Sequence, residues 1–206
     1  MPSIPWPQTG CLFAAHAPAL AHWHPHIHRH AATANLREWL TDQASLTARL
    51  TARCGQFRVQ RLQQQIARCL PDESTVMGLP VRANVVERDV LLRCDGVAVV
   101  YAHTILPLSA TAGHWPLFAS LGNKSLGSTL FHDPLVVRGD LHYAQLRATH
   151  PLMRRIADLH LVPTPAPRLF ARRSLFTRHG SSLLVTEVFL PALCALPLLA
   201  HSKSAG

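Results

Sequence analysis

The stretch HWHPHIHRH at 22–30 sets five histidines, His22, His24, His26, His28 and His30, at every second position. Imidazole is a ready ligand for zinc, copper or nickel. On an extended chain this alternation would put all five rings on one side. Pro25 interrupts any helical i, i+4 arrangement, and no cysteine or carboxylate joins the cluster. The run is therefore expected to be an extension that binds nickel resin adventitiously, and no metal is expected to be needed. Two single charges carry sharper chemistry. In the sequence NVVERDVLLRC, which begins at Asn84, one alternating face holds Val86, Arg88, Val90, Leu92 and Cys94, with Arg88 its only charge. The other face, Glu87, Asp89, Leu91 and Arg93, is mostly polar. In LLVTEVFL, which begins at Leu183, the side chains of Leu183, Val185, Glu187 and Phe189 share a face on which Glu187 is the lone charge. The opposite face, Leu184, Thr186, Val188 and Leu190, is apolar as well, so this strand reads as buried on both sides. A buried charge without partners is costly. Three arrangements satisfy that constraint. Arg88 and Glu187 pair as a buried salt bridge, or one of them reaches water at a strand end, or the two line an internal cavity and receive a polar anion. In the last case Arg88 takes a carboxylate through its planar fork, while Glu187 holds or deprotonates a hydroxyl.

The chain around these residues has 206 positions and 48% hydrophobic content, enough for one domain with a real core. Lys and Arg number 20 against 11 Asp and Glu, a formal charge of +9, and only Lys124 and Lys203 are lysines. Such a field attracts anions, from nucleic acid to membrane surfaces to small acidic metabolites. The same counts also fit a compositional bias toward arginine and alanine. The basic residues are dispersed, with no basic run interleaved with aromatics, which argues against nucleic acid. No apolar run reaches the length of a membrane span. The N-terminus has no basic leader region, and its apolar stretch is broken by His16 and Pro18, so export is not expected. The five cysteines form no CxxC pair, which fits reduced thiols in the cytoplasm. No GxSxG elbow points to a hydrolase.

The elements that must position Arg88 and Glu187 follow from periodicity. Residues 1–34, rich in Pro, Ala and His, read as a weakly ordered extension, 35–191 as one domain and 192–206 as a tail. Leu36, Trp39, Leu40, Leu46 and Leu50 fall at helical spacings before Gly55. FRVQRL, beginning at Phe57, alternates as a strand, and CLPDESTVMGLP at 69–80 is expected to be a loop. Two β-rich runs flank Asp95-Gly96, a tight hairpin signal. Short helices separated by a glycine are expected across SATAGHWPLFASLG and NKSLGSTLF, and another in HPLMRRIADL. VPTPAP at 162–167 is an extended linker. A second hairpin turns at Arg178-His179-Gly180. Two antiparallel hairpins, a further strand and segregated helices define an α+β fold, a single antiparallel β-sheet with helices packed on it.

The segments RDVLLRCDG at 88–96, LGNKSLG at 121–127, ARRS at 171–174 and LLVTEVFLP at 183–191, with WLTDQASLT at 39–47, together resemble the chorismate pyruvate-lyase family in order and spacing. The resemblance runs from about 36 to 191, with an apparent insertion around 140–168. It implies a buried ligand site under helical flaps, and the loss of pyruvate from chorismate to leave 4-hydroxybenzoate for ubiquinone. It implies no metal and no organic cofactor. By resemblance Arg88 binds the ring carboxylate, Glu187 contacts the 4-hydroxyl, and Leu46 and Leu126 contact ligand through their main chains. Leu46 stands where relatives have methionine. Arg172 and Arg173 are candidates for the enolpyruvyl carboxylate, only one of them facing inward and the other expected in solvent. Whether Glu187 is a base or a positioning group stays open. A monomer with slow product release and product inhibition is expected. The alternative is a non-catalytic ligand-binding module of the same fold, as in the effector domains of GntR-type regulators.

Overall fold

Two hairpins form the middle of the sheet, and their turns follow from the sequence. The computed structural model describes residues 21–27, 32–111 and 113–196. Strands β2 (Asn84–Cys94) and β3 (Val97–Pro107) meet at Asp95 and Gly96, whose φ angles of 49° and 83° are both positive, as a two-residue hairpin turn requires. The Asp95 carboxylate also accepts from Gln56 N at 2.7 Å, tying in the neighbouring strand β1 (Phe57–Arg68). Strands β6 (Leu169–Arg178) and β7 (Ser181–Phe189) turn through His179 and Gly180, again with positive φ. All pairings are antiparallel, in the order β1-β2-β3-β7-β6. Beyond β6, the short strands β4 (Val136–Arg138) and β5 (His142–Leu146) lie one after the other along its free edge. The fold is α+β with a single antiparallel sheet, as the periodicity indicated. Among the described residues it has seven strands rather than five, because runs of three and five residues are too short to show alternation.

Helices cover both faces. On the front lie α1 (Ala34–Thr41), capped by the Thr33 hydroxyl on Leu36 N, and α2 (Leu46–Thr51), capped by Ser45 on Ala48 N. Trp39, Leu40, Leu46 and Leu50 are buried, the stripe that the spacing marked out. The five-residue α4 (Leu126–Leu130) completes this layer, preceded by 3₁₀ turns at 108–110 and 116–118. On the back lie α3 (Pro71–Met77) and α5 (Pro151–Asp158). The expected loop at 69–80 is thus corrected to a helix. Pro71 takes its first position, the Glu73 carboxylate reaches back to Leu70 N at 3.0 Å, and Gly78 ends it at φ 63°.

The back face holds a buried charge network that alternation alone rated only as polar. Glu87 and Asp89 are 2% and 1% exposed, and Arg155 of α5 bridges them at 3.0 and 2.8 Å. His103 sits 2.5 Å from Asp89 through Nδ1 and 3.0 Å from Glu73 through Nε2, the latter contact angled off a hydrogen-bond line. Burial opposes a charge on His103, but Glu73 and Asp89 outweigh it and raise its pKa to about 10. Residues 21–27 also lie against the domain, Ala21 and Trp23 on this side and Ile27 against the front core. His24 pairs through its backbone with Tyr143, and Trp23 covers the Arg173 guanidinium at 4.2 Å while donating to Asp72 at 2.8 Å. At the other end Leu193, expected in a tail, is fully buried. Of the histidine run, His22, His24 and His26 are exposed, and His28 and His30 lie outside the described residues. No helix among the described residues is long and apolar enough to cross a membrane.

Candidate active site

The register places the site charges on one face of the sheet, the front. Arg88 on β2 pairs with Thr104, Thr104 with Val185, and Val185 with Ser174. Paired residues point to the same side, so Arg88, Glu187 two places along from Val185, and Arg172 two places from Ser174 share that face. Arg138 on β4 joins them opposite Phe176. Above this row α2 and α4 close a cavity of about 610 Å³, mouth included. Leu46 and Leu126 line it, each as the first residue of its helix, where the backbone N–H has no intrahelical acceptor. The two helices meet over the cavity through Thr47 Oγ1 and Ser125 Oγ, 2.5 Å apart. Gly127 packs so closely there that a Cβ would stand 2.9 Å from Thr47 Oγ1.

Arg88 is 1% exposed. Its Nη2 donates to the carbonyls of Gly122 and Lys124 at 3.2 and 2.9 Å, while Nε is buried without a partner. No carboxylate among the described residues pairs with it. Burial, with Arg61 adding to it, pulls its pKa down to about 10. Arg88 and Glu187 therefore do not neutralise each other, and neither reaches water at a frayed end. Glu187 instead receives Arg172 Nε on Oε2 at 2.5 Å. Arg172 Nη1 also donates to the carbonyls of Trp39, Leu40 and Asp42 at the end of α1, at 2.9, 3.3 and 2.7 Å. Arg172 is thus the inward member of the Arg172–Arg173 pair. Arg173 is not in solvent as expected. It is 8% exposed, on the back face under Trp23, with Nη1 on the Asp72 carbonyl at 2.9 Å. Solvent is excluded there because both faces of the sheet are covered.

The structure thus brings Arg88, Glu187, Leu46 and Leu126 to one cavity. Sequence reasoning missed Arg138, which lines the same cavity. A three-residue strand gives no alternation against which a lone charge stands out. Only its register with Phe176, invisible in the sequence, marks it.

Residues 17–195 match the family model described as chorismate lyase. A probable chorismate pyruvate-lyase from Ralstonia nicotianae is 49% identical over 158 residues, 75% of this chain and 80% of that protein. One from Nitrosomonas eutropha is 44% identical over 177 residues, 85% and 96% of the two chains. Among solved structures, the effector domain of PhnF from Mycobacterium smegmatis aligns with a TM-score of 0.50 at 17% identity, over 73% of this chain and 90% of that one. At that identity the likeness speaks for the fold alone. The family match spans the whole cavity-bearing sheet and both closing helices: the chain belongs to the chorismate lyase family and is a lyase.

Proposed function

We propose that this chain eliminates pyruvate from chorismate to leave 4-hydroxybenzoate, the aromatic precursor of ubiquinone, acting as a cytoplasmic monomer. The observation that carries the reading is Arg88, a buried guanidinium on a cavity wall with no carboxylate among the described residues to balance it. A ligand carboxylate supplies that balance through a charge-assisted contact. Two strands away, Glu187 has Oε2 occupied by Arg172, which leaves Oε1 for the 4-hydroxyl at the opposite end of the ring. The first amides of α2 and α4, at Leu46 and Leu126, are further donors to the ligand.

With the ring held at both ends, C4 loses its proton and the C–H electron pair becomes part of the aromatic ring. The C3–O bond breaks with its pair on the ether oxygen, releasing the enolate of pyruvate. A proton added to the enolate methylene carbon completes pyruvate, so no atom or electron is left over. Aromatisation supplies the driving force, and the protein's task is to hold this geometry and stabilise the departing oxygen. Glu187 orients the C4 centre through the hydroxyl. Closure of the cavity by α2 and α4 makes release of 4-hydroxybenzoate slow, so added product should inhibit turnover.

The test is to incubate EDTA-treated protein with chorismate and follow pyruvate and 4-hydroxybenzoate together by chromatography. Equimolar appearance of the two supports the reading. Chorismate that binds but survives would point to a ligand-binding module, and turnover restored only by added metal would return attention to the histidine run.

A further inference from the structure

Chorismate carries two carboxylates, and the charges on the front face offer a place for each. The charged side chains lining the cavity among the described residues are Arg88, Arg138, Arg172 and Glu187, a net of two positive charges facing a dianion. Arg172 is already engaged, with Nε on Glu187 and Nη1 on three α1 carbonyls. Arg138 is held but not neutralised. Its Nε donates to Ser174 Oγ at 3.0 Å and Nη1 to the Gln43 carbonyl at 2.7 Å, while no hydrogen bond holds Nη2 among the described residues. The guanidinium lies 5.4 and 5.5 Å from the rings of Phe131 and Phe176, within cation–π reach of both. Burial lowers its pKa, and Arg172 adds to that, while Glu187 opposes it.

Position separates the two sites. Across the sheet the order is Arg88 on β2, Glu187 on β7, Arg172 on β6 and Arg138 on β4. At about 4.8 Å per strand, Arg88 and Arg138 stand roughly 10 Å to either side of the Glu187 strand. In chorismate the ring carboxylate lies at one end. The enolpyruvyl ether is on C3, beside the C4 that bears the hydroxyl. A ring with its carboxylate on Arg88 and its hydroxyl on Glu187 therefore points the enolpyruvyl group past Glu187 and away from Arg88.

We propose that Arg138 binds the enolpyruvyl carboxylate and stabilises the negative charge that develops on the departing enolpyruvate. This rests on the chorismate reading above, and it assigns to Arg138 the role for which Arg172 and Arg173 were the candidates. 4-Hydroxybenzoate lacks that carboxylate, which separates a ligand contact from a structural one. Turnover of chorismate and the calorimetric Kd for 4-hydroxybenzoate are measured for the unaltered protein, Arg138→Gln, Arg138→Lys and Arg88→Gln. Loss of one charge-assisted contact should lower kcat/KM of Arg138→Gln about 30-fold or more. Its Kd for 4-hydroxybenzoate should stay within about threefold, and Arg138→Lys should fall between the two. Arg88→Gln should lose both. The assignment is overturned if Arg138→Gln weakens 4-hydroxybenzoate as much as it lowers kcat/KM, which would mean that only the Gln43 loop has loosened. It is equally overturned if kcat/KM hardly changes. If the unaltered protein does not turn chorismate over, the lyase reading falls. The Kd values for chorismate and 4-hydroxybenzoate in Arg138→Gln then decide the carboxylate contact by the same criterion.

Discussion

Arg88→Met separates a charge kept for a ligand from one kept for the fold. The guanidinium is 1% exposed and its pKa is drawn down to about 10 from the ordinary 12.5. At about 1.4 kcal/mol per pH unit, this difference corresponds to an unfavourable term of about 3 kcal/mol. Because the folded pKa is the lower one, the penalty is fully present at neutral pH and is relieved only as pH rises through about 10. Methionine removes it and fills much of the same volume. The loss is two hydrogen bonds to Gly122 and Lys124, at roughly 1 kcal/mol each. Both residues belong to a partly exposed loop whose carbonyls can turn to water. The balance is a gain of about 1 kcal/mol, or about 2–4 °C in Tm for a chain of this size. Binding moves the other way. Without its charge partner, the affinity for 4-hydroxybenzoate should fall by about 2–4 kcal/mol, or roughly 30- to 1,000-fold. Urea unfolding and calorimetry on the same preparation read both numbers. A variant destabilised by more than about 2 kcal/mol would make Arg88 a structural keystone, and an unchanged Kd would remove it from the ligand site.

Other perturbations test other parts of the account. Arg172→Ala strips Glu187 of its partner and orphans three carbonyls at the end of α1, so the urea-derived stability should drop by about 3–5 kcal/mol. On the back face, the His103 contribution is fully present below its unfolded pKa of about 6.5 and is lost as pH rises through about 10. Asp89, held down to about 2, contributes above an unfolded value of about 3.9 and is lost as pH falls through about 2. His103→Gln should therefore be less stable than the unaltered protein at pH 6, with the gap narrowing by pH 10 in paired urea titrations. Gly127→Ala places a Cβ 2.9 Å from Thr47 Oγ1, so that hydroxyl must shift from its contact with Ser125 and the tie between α2 and α4 loosens. Stopped-flow release of 4-hydroxybenzoate should be several-fold faster in that variant, with turnover retained.

Where an element is long or carries a turn signal, the sequence is readable. Asp95-Gly96 and His179-Gly180 demand positive φ, so both central hairpins and the strands they join could be drawn from local chemistry. The same alternation isolated Arg88 and Glu187, because one charge among three or four apolar neighbours has to be explained. It went no further, because alternation says which residues share a face and not what covers that face. Glu87 and Asp89 read as an ordinary polar face, yet Arg155 lies 66 residues from Asp89 in the chain and only packing reveals it as their partner. The same limit hid the burial of Arg173 under Trp23, a residue in what read as an extension. It also hid Arg138, whose strand is too short to carry a pattern. The helix at 71–77 was masked by its prolines, one of which opens it.

The most direct test of the central claim is a crystal structure of the protein grown with 4-hydroxybenzoate. The ring is expected in the cavity beneath α2 and α4, its carboxylate oxygens about 3 Å from the Arg88 guanidinium and its hydroxyl on Glu187. A ring turned end for end, with the carboxylate among Arg172 and Arg138, or a ligand bound outside this cavity, would contradict it.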